Sequence, residues 1–247
     1  MTGTEISFKP WIKTYPAEIA DSKPTLVFPH AGGAALAYRP LGLALAEAGA
    51  DTYVMQYPRR GDRLSHPAPA TVGDLARDLF EAGDWSRLGP LRLFGHCMGA
   101  VVAFEFARVA ERNGLDIQAL WVSASEAPSA VAASPALPMG QSEILAEMVD
   151  LGGTDPQLLA DDDFVELLLT AVRADYEAFN RYSCDTGVTI AADIYALGGE
   201  QDHRISEDML RGWEIHTEGA FTLSLFDGGH FYINDYTEDV AELVNEL

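Results

Sequence analysis

The chain has 247 residues, is 48% hydrophobic, and carries 38 acidic against 16 basic side chains for a formal net charge of -22. That length and apolar content suffice for one substantial core and exclude wholesale disorder. The charge excludes a nucleic-acid binder, which needs a broad basic surface to neutralise phosphates. No basic stretch followed by an apolar run opens the chain and no segment of 18 apolar residues occurs, so neither a signal peptide nor a membrane span is expected. The two cysteines, Cys97 and Cys184, form no disulfide framework or zinc spacing. A reducing cytoplasm is the expected setting, with no metal and no cofactor.

In chain order, residues 25–28 (TLVF) read as a short buried strand running into the tight-turn stretch PHAGG at 29–33. A helical spacing covers 38–48, and 51–55 (DTYVM) reads as a second strand. The loop beyond it holds Arg59, Arg60 and Arg63. Thr71 is placed to cap a helix, with Asp74 three residues on and Leu75 and Leu79 on one face. Residues 91–94 read as a strand entering Gly95, 100–111 as a helix and 119–124 as a strand. From Glu126 to Asp185 the pattern changes. No strand is expected there, only helical pieces at 143–151, 156–160 and 164–182. Twelve acidic residues against Arg173 and Arg181 give this segment a solvated face, the run Asp161 to Asp163 included. Strands return at 193–197 and 222–226. Ser206 is a candidate cap for a short helix reaching Trp213, and a helix from about Thr237 ends the chain.

Strands alternating with helices predict an α/β fold, a mostly parallel sheet covered on both faces. Residues 1–125 and 186–247 form the expected core, and 126–185 a helical insertion.

The stretch GHCMG lies between a strand and a helix. The glycines suit a tight turn that lifts Cys97 above the sheet, at a helix start whose free N–H groups favour a thiolate. A nucleophile needs a base and an orienting acid. His230, after a late strand and two glycines, is the expected base, with His203 a weaker alternative. Asp202 is the expected acid, with Glu200 in reserve. His66 lies in a proline-rich loop, His216 is placed on a surface segment, and His96, inside the turn, packs or orients its surroundings. The order Cys97, Asp202, His230 is that of an α/β-hydrolase. An oxyanion hole would then use the backbone N–H groups of Met98 and Ala31.

FPHAGGAALAYRPL, QYPRRGDR, GHCMGAVVAFEFA, ALGGEQD and GGHFYI together resemble the type II (editing) thioesterases of polyketide synthases and nonribosomal peptide synthetases. The likeness runs from about Thr25 to the C-terminus. It implies an α/β-hydrolase core with a mobile helical lid at 126–185, and hydrolysis of acyl groups from the phosphopantetheine arm of an acyl or peptidyl carrier protein. It carries over to Cys97, Asp202 and His230, and to the amides of Ala31 and Met98. Two departures stand out. Such proteins usually have serine at position 97, and PGR where this chain has Pro58-Arg59-Arg60.

With cysteine, attack on a thioester gives another thioester, so an acyl-cysteine intermediate is expected, hydrolysed by water with His230 as base. A channel for the carrier arm would be lined by Tyr38, Met139, Leu145, Met148, Leu168, Val172 and Phe179. An acidic carrier, repelled at long range by the net charge, would dock on Arg59, Arg60 and Arg63. The alternatives are an acyltransferase, cyclase or small-molecule esterase on the same fold, and a non-catalytic carrier-binding protein.

Overall fold

The computed structural model describes residues 8–19, 21–154 and 157–246. Its strands are β1 (Lys13–Tyr15), β2 (Thr25–Phe28), β3 (Thr52–Val54), β4 (Leu91–His96), β5 (Ile117–Ser123), β6 (Asp193–Gly199) and β7 (Phe221–Phe226). They form one sheet in the order β1-β3-β2-β4-β5-β6-β7. Every neighbouring pair is parallel except β1 and β3. The helices are α1 (Arg39–Glu47), α2 (Val72–Phe80), α3 (Met98–Arg112), α4 (Gln141–Leu151), α5 (Asp162–Asn180), α6 (Glu207–Arg211) and α7 (Thr237–Asn245).

Period-two alternation divides the strand side chains between two cores. Leu26 and Phe28 of β2 and Leu120 and Val122 of β5 pack with α2, α3 and α6. Val27, Ala119 and Trp121 point the other way, onto α1 and α7. Fully burying each such Leu or Val contributes roughly 1.5–3 kcal/mol before conformational entropy is counted. The expected caps form. Thr71 Oγ1 accepts from the Asp74 N–H at 3.0 Å and Ser206 Oγ from the Met209 N–H at 3.3 Å.

Between β5 and β6 there is no strand among the described residues. Ile144, Val165, Leu169, Val172 and Tyr176 join α4 to α5 in a small core of their own, against which Ala31 packs. The helix expected over 156–160 begins outside the described residues, and a 3-10 turn occupies Leu158–Ala160. The acidic run serves α5: Asp161 caps it through the Phe164 N–H, and Asp162 and Asp163 occupy its first turn, where the helix dipole favours negative charge.

Two differences from the sequence reading have physical causes. β1 is an edge strand of three residues with no apolar alternation, too short to announce itself. His216 is fully buried instead of lying on a surface segment. Its Nδ1 donates to the Val188 carbonyl at 2.7 Å, which leaves Nε2 to accept from the Ser129 hydroxyl at 2.8 Å. No helix among the described residues is long and apolar enough to cross a membrane.

Candidate active site

The chain runs from β2 to β3 on one side, then returns to β4 on the other. In an open parallel sheet such a reversal leaves a crevice outside the carboxyl ends of the two diverging strands. The turn at His30–Gly33 follows β2 into that crevice, and Cys97 follows β4. Asp202 and His230 follow β6 and β7 on the same edge.

Cys97 sits at φ 54 and ψ -127, a conformation that L residues rarely adopt. Holding it there costs about 1–3 kcal/mol, supplied by the surroundings. Its N–H donates to the Ser123 carbonyl at 2.8 Å, and α3 starts at the next residue. The two flanking glycines are steric necessities. A Cβ at Gly99 would run into the carbonyl oxygens of Phe28 and Pro29, and one at Gly95 into the Gly99 carbonyl and the Ala100 Cα. The turn therefore closes only with glycine at both places.

The loops after β6 and β7 are tied together by backbone bonds from Glu200 N–H to Phe226 O (2.8 Å) and Gln201 N–H to Gly228 O (2.9 Å). This brings His230 Nδ1 within 2.8 Å of Asp202 Oδ2. The other carboxylate oxygen accepts from the N–H groups of Arg204 (2.8 Å) and Ile205 (3.1 Å), so the carboxylate cannot swing. Glu200, the reserve acid, is exposed and makes no such contact. His230 is 2% exposed, and with Nδ1 held by Asp202 its Nε2 is left for Cys97. That pair stops short of a well-aligned hydrogen bond, as resting sites often do, yet each group shifts the other.

Burial alone would push the Cys97 thiol up. The nearby His230 charge, the Met98 backbone N–H and the Arg204 charge outweigh it, and the thiol ends below its ordinary value. Burial alone would push His230 down. The nearby Cys97 charge, the hydrogen bond to Asp202 and the Asp202 charge raise it instead to about 9. Both directions favour a thiolate–imidazolium pair. His30 is a different case: burial and the nearby His230 lower it to about 3, so it is neutral. Its backbone N–H donates to the Tyr38 hydroxyl at 3.0 Å. The hydroxyl proton then goes to Nδ1 at 2.7 Å, which fixes the Nε2–H tautomer.

Ala31 borders a small cavity with Cys97, His230, Met148, Tyr176 and Phe231. The Gly33 N–H donates to the His30 carbonyl at 3.0 Å. Across a trans peptide the next N–H, that of Ala31, points the opposite way from this carbonyl. The Met98 N–H lies within reach of the Cys97 sulfur. A larger cavity of about 580 Å³ also borders Cys97 and His230, lined largely by apolar groups such as Val131, Leu137, Phe179, Ile205 and Met209.

Of the expected channel residues, Phe179 borders the large cavity and Met148 the small one. Tyr38 lines a third cavity with His30 and Phe231. Leu145, Leu168 and Val172 pack in the α4–α5 core, and Met139 is exposed. The arginine trio needs correction. Arg60 (5% exposed) is ion-paired with buried Asp175, and Arg63 (6% exposed) lies 4.0 Å over the Trp11 ring and donates to the Gln56 carbonyl. Both are turned inward because burying a guanidinium requires such partners, and only Arg59 keeps appreciable exposure.

The sequence reading did not single out Glu147, Arg204 or Asp175. Arg204 pairs with Glu147, and His203 with Asp150 at 2.7 Å, linking α4 to the loop after β6. These partners lie far apart in the chain, and no local spacing signals them.

A family model described as a thioesterase domain matches residues 23–247. The chain is 59% identical over 241 residues to the phenyloxazoline synthase MbtB of Mycobacterium tuberculosis; the match takes in 97% of this chain but spans only 17% of that protein's length. It is 33% identical over 238 residues to thioesterase PikA5 of Streptomyces venezuelae, covering 96% of this chain and 84% of that one. Among solved structures, the type II thioesterase BorB from the borrelidin biosynthetic cluster superposes with a TM-score of 0.83 at 35% identity, covering 97% of this chain and 98% of BorB. Taken with the parallel sheet and the turn at its carboxyl edge, these likenesses make the chain a member of the thioesterase family, on the α/β-hydrolase fold and akin to the type II thioesterases of polyketide and nonribosomal-peptide pathways.

Proposed function

We propose that the chain hydrolyses an acyl thioester borne on the phosphopantetheine arm of an acyl or peptidyl carrier protein, through an acyl-cysteine on Cys97. The observation that carries this is Cys97 and His230 bordering a cavity of about 580 Å³, with His230 held by Asp202 behind it and thiol and imidazole shifted toward opposite charges. In the first half-reaction the Cys97 thiolate attacks the thioester carbonyl. The tetrahedral oxyanion forms toward the amides of Ala31 and Met98, each such donor contributing about 3 kcal/mol. The carbon–sulfur bond to the arm breaks, and the departing thiolate takes the proton from His230 Nε2. In the second half, water gives a proton to His230 and attacks the acyl-cysteine. Collapse expels the Cys97 thiolate, leaving free acid and the carrier thiol. Residues 126–185 act as the lid over this site and the remainder as the core. A reducing cytoplasm keeps Cys97 a thiol.

The high identity to part of a large synthase favours a second reading, in which the same acyl-cysteine releases a chain from its assembly line rather than clearing stalled acyl groups. A nucleophile other than water would then make the chain an acyltransferase or cyclase. Intact mass spectrometry after mixing with a short acyl carrier thioester tests the common step. An acyl mass increment on Cys97, followed by free acid, is expected. No increment on any residue would overturn the nucleophile assignment. A nearly stable increment, released only by an added amine or thiol, would replace hydrolysis with transfer.

A further inference from the structure

The turn after β2 is held by a side chain from α5, 143 residues away. His30 to Gly33 closes with an i to i+3 bond of 3.0 Å. Gly32, its third residue, has φ +76 while Ala31 has no positive φ, which is the signature of a type II turn. The central peptide of such a turn joins Ala31 to Gly32, and its N–H takes no part in the i to i+3 bond. Here Asp175 Oδ2 accepts that N–H at 2.7 Å.

Asp175 is 7% exposed and is itself pinned by Arg60, whose Nη2 also lies 3.5 Å from the Ala171 carbonyl. One helical face presses on the turn. Leu168, Val172 and Asp175 fall at i, i+4 and i+7, and a Cβ on Gly32 would meet the Val172 side chain at once, with Leu168 at 3.6 Å. Ala31 packs against the same α4–α5 core. The turn that carries one oxyanion amide is therefore completed by the lid.

We propose that Asp175 is a positioning residue for the oxyanion turn: by tying the Gly32 N–H to α5 it holds the turn in place, so that the Ala31 N–H reaches the acyl oxygen and seating of α5 and assembly of the oxyanion hole are one event. Arg60 fixes the carboxylate and so serves the same end. This rests on the acyl transfer proposed above.

The test uses Asp175→Ala and Asp175→Asn with an N-acetylcysteamine thioester as substrate, so that carrier recognition does not enter. Asp175→Ala is expected to lose about a hundredfold in kcat, the usual effect of misplacing a donor by about an ångström, with KM changed less than threefold. Asp175→Asn keeps an oxygen able to accept from Gly32 but gives up the charge, and is expected to lose about tenfold. Alkylation of Cys97 by iodoacetamide builds no oxyanion, and its rate is expected to stay within twofold of wild type in both variants. Wild-type kcat in either variant would overturn the proposal. So would alkylation falling in step with kcat, which would mean damage to the thiol–imidazole pair. If the alanine variant does not fold, the asparagine variant decides alone. A wild-type chain that cleaves this probe but leaves carrier thioesters intact would overturn the functional reading and leave the Asp175 comparison valid.

Discussion

Replacing Asp202 by Asn tests the charge logic of the site. In the native arrangement His230 stands at about 9 against an ordinary 6.5. A shift of about 2.5 units is on the order of 3 kcal/mol in favour of the imidazolium. Two anions raise it, and one of them, Cys97, is the group with which His230 exchanges its proton. Asp202 is the remaining anion, bonded to Nδ1 at 2.8 Å. Without its charge, and with a weaker acceptor at Nδ1, His230 loses two of the interactions that oppose burial and falls from about 9. The pair then rests as thiol and neutral imidazole. With its cationic partner weakened, burial is no longer offset and the Cys97 thiol moves up, so Cys97 should react with iodoacetamide more slowly at pH 7, by about tenfold or more. The pH profile gives the sign. In the wild type the rate is expected to be nearly flat between the lowered thiol value and about pH 9. In Asp202→Asn it climbs tenfold per pH unit through neutrality and meets the wild type above pH 9. Stopped alkylation followed by mass spectrometry from pH 5.5 to 9.5 measures both curves. Superimposable profiles would refute the assignment of Asp202 as the charge partner.

Three further outcomes follow from geometry. Arg59 holds φ 68, a conformation that costs glycine little, so Arg59→Gly should raise unfolding stability by about 1 kcal/mol in a urea titration; a loss of that size would mean the side chain makes a compensating contact. Gly99→Ala should destabilise the chain by about 3 kcal/mol or more and abolish Cys97 acylation, since the added methyl meets two backbone carbonyls that cannot move aside; a folded, active variant would contradict the close approach. Phe179 borders the large cavity, so Phe179→Ala should shift kcat/KM toward bulkier acyl groups by about tenfold relative to short ones; an unchanged chain-length profile would place the acyl group elsewhere.

Whatever depends on local pattern was legible in the sequence. The runs TLVF and TLSLF lie within strands, Thr71 and Ser206 cap the helices they precede, and GHCMG forms the turn between β4 and α3. These features are set by residue period and by the steric demands of glycine, which neighbours in the chain already express. Asp202 was the carboxylate expected from the sequence, but the contact itself is made by tertiary structure, because the bonds between the two loops turn Asp202 rather than Glu200 toward His230. Tertiary structure also decided that Arg60 faces Asp175 rather than solvent, and that a lid helix holds the turn beside Cys97. Those outcomes join residues 28, 115 and 143 positions apart. They arise when burial makes an unpaired charge or amide too costly to leave alone, a constraint that exists only once the chain has folded.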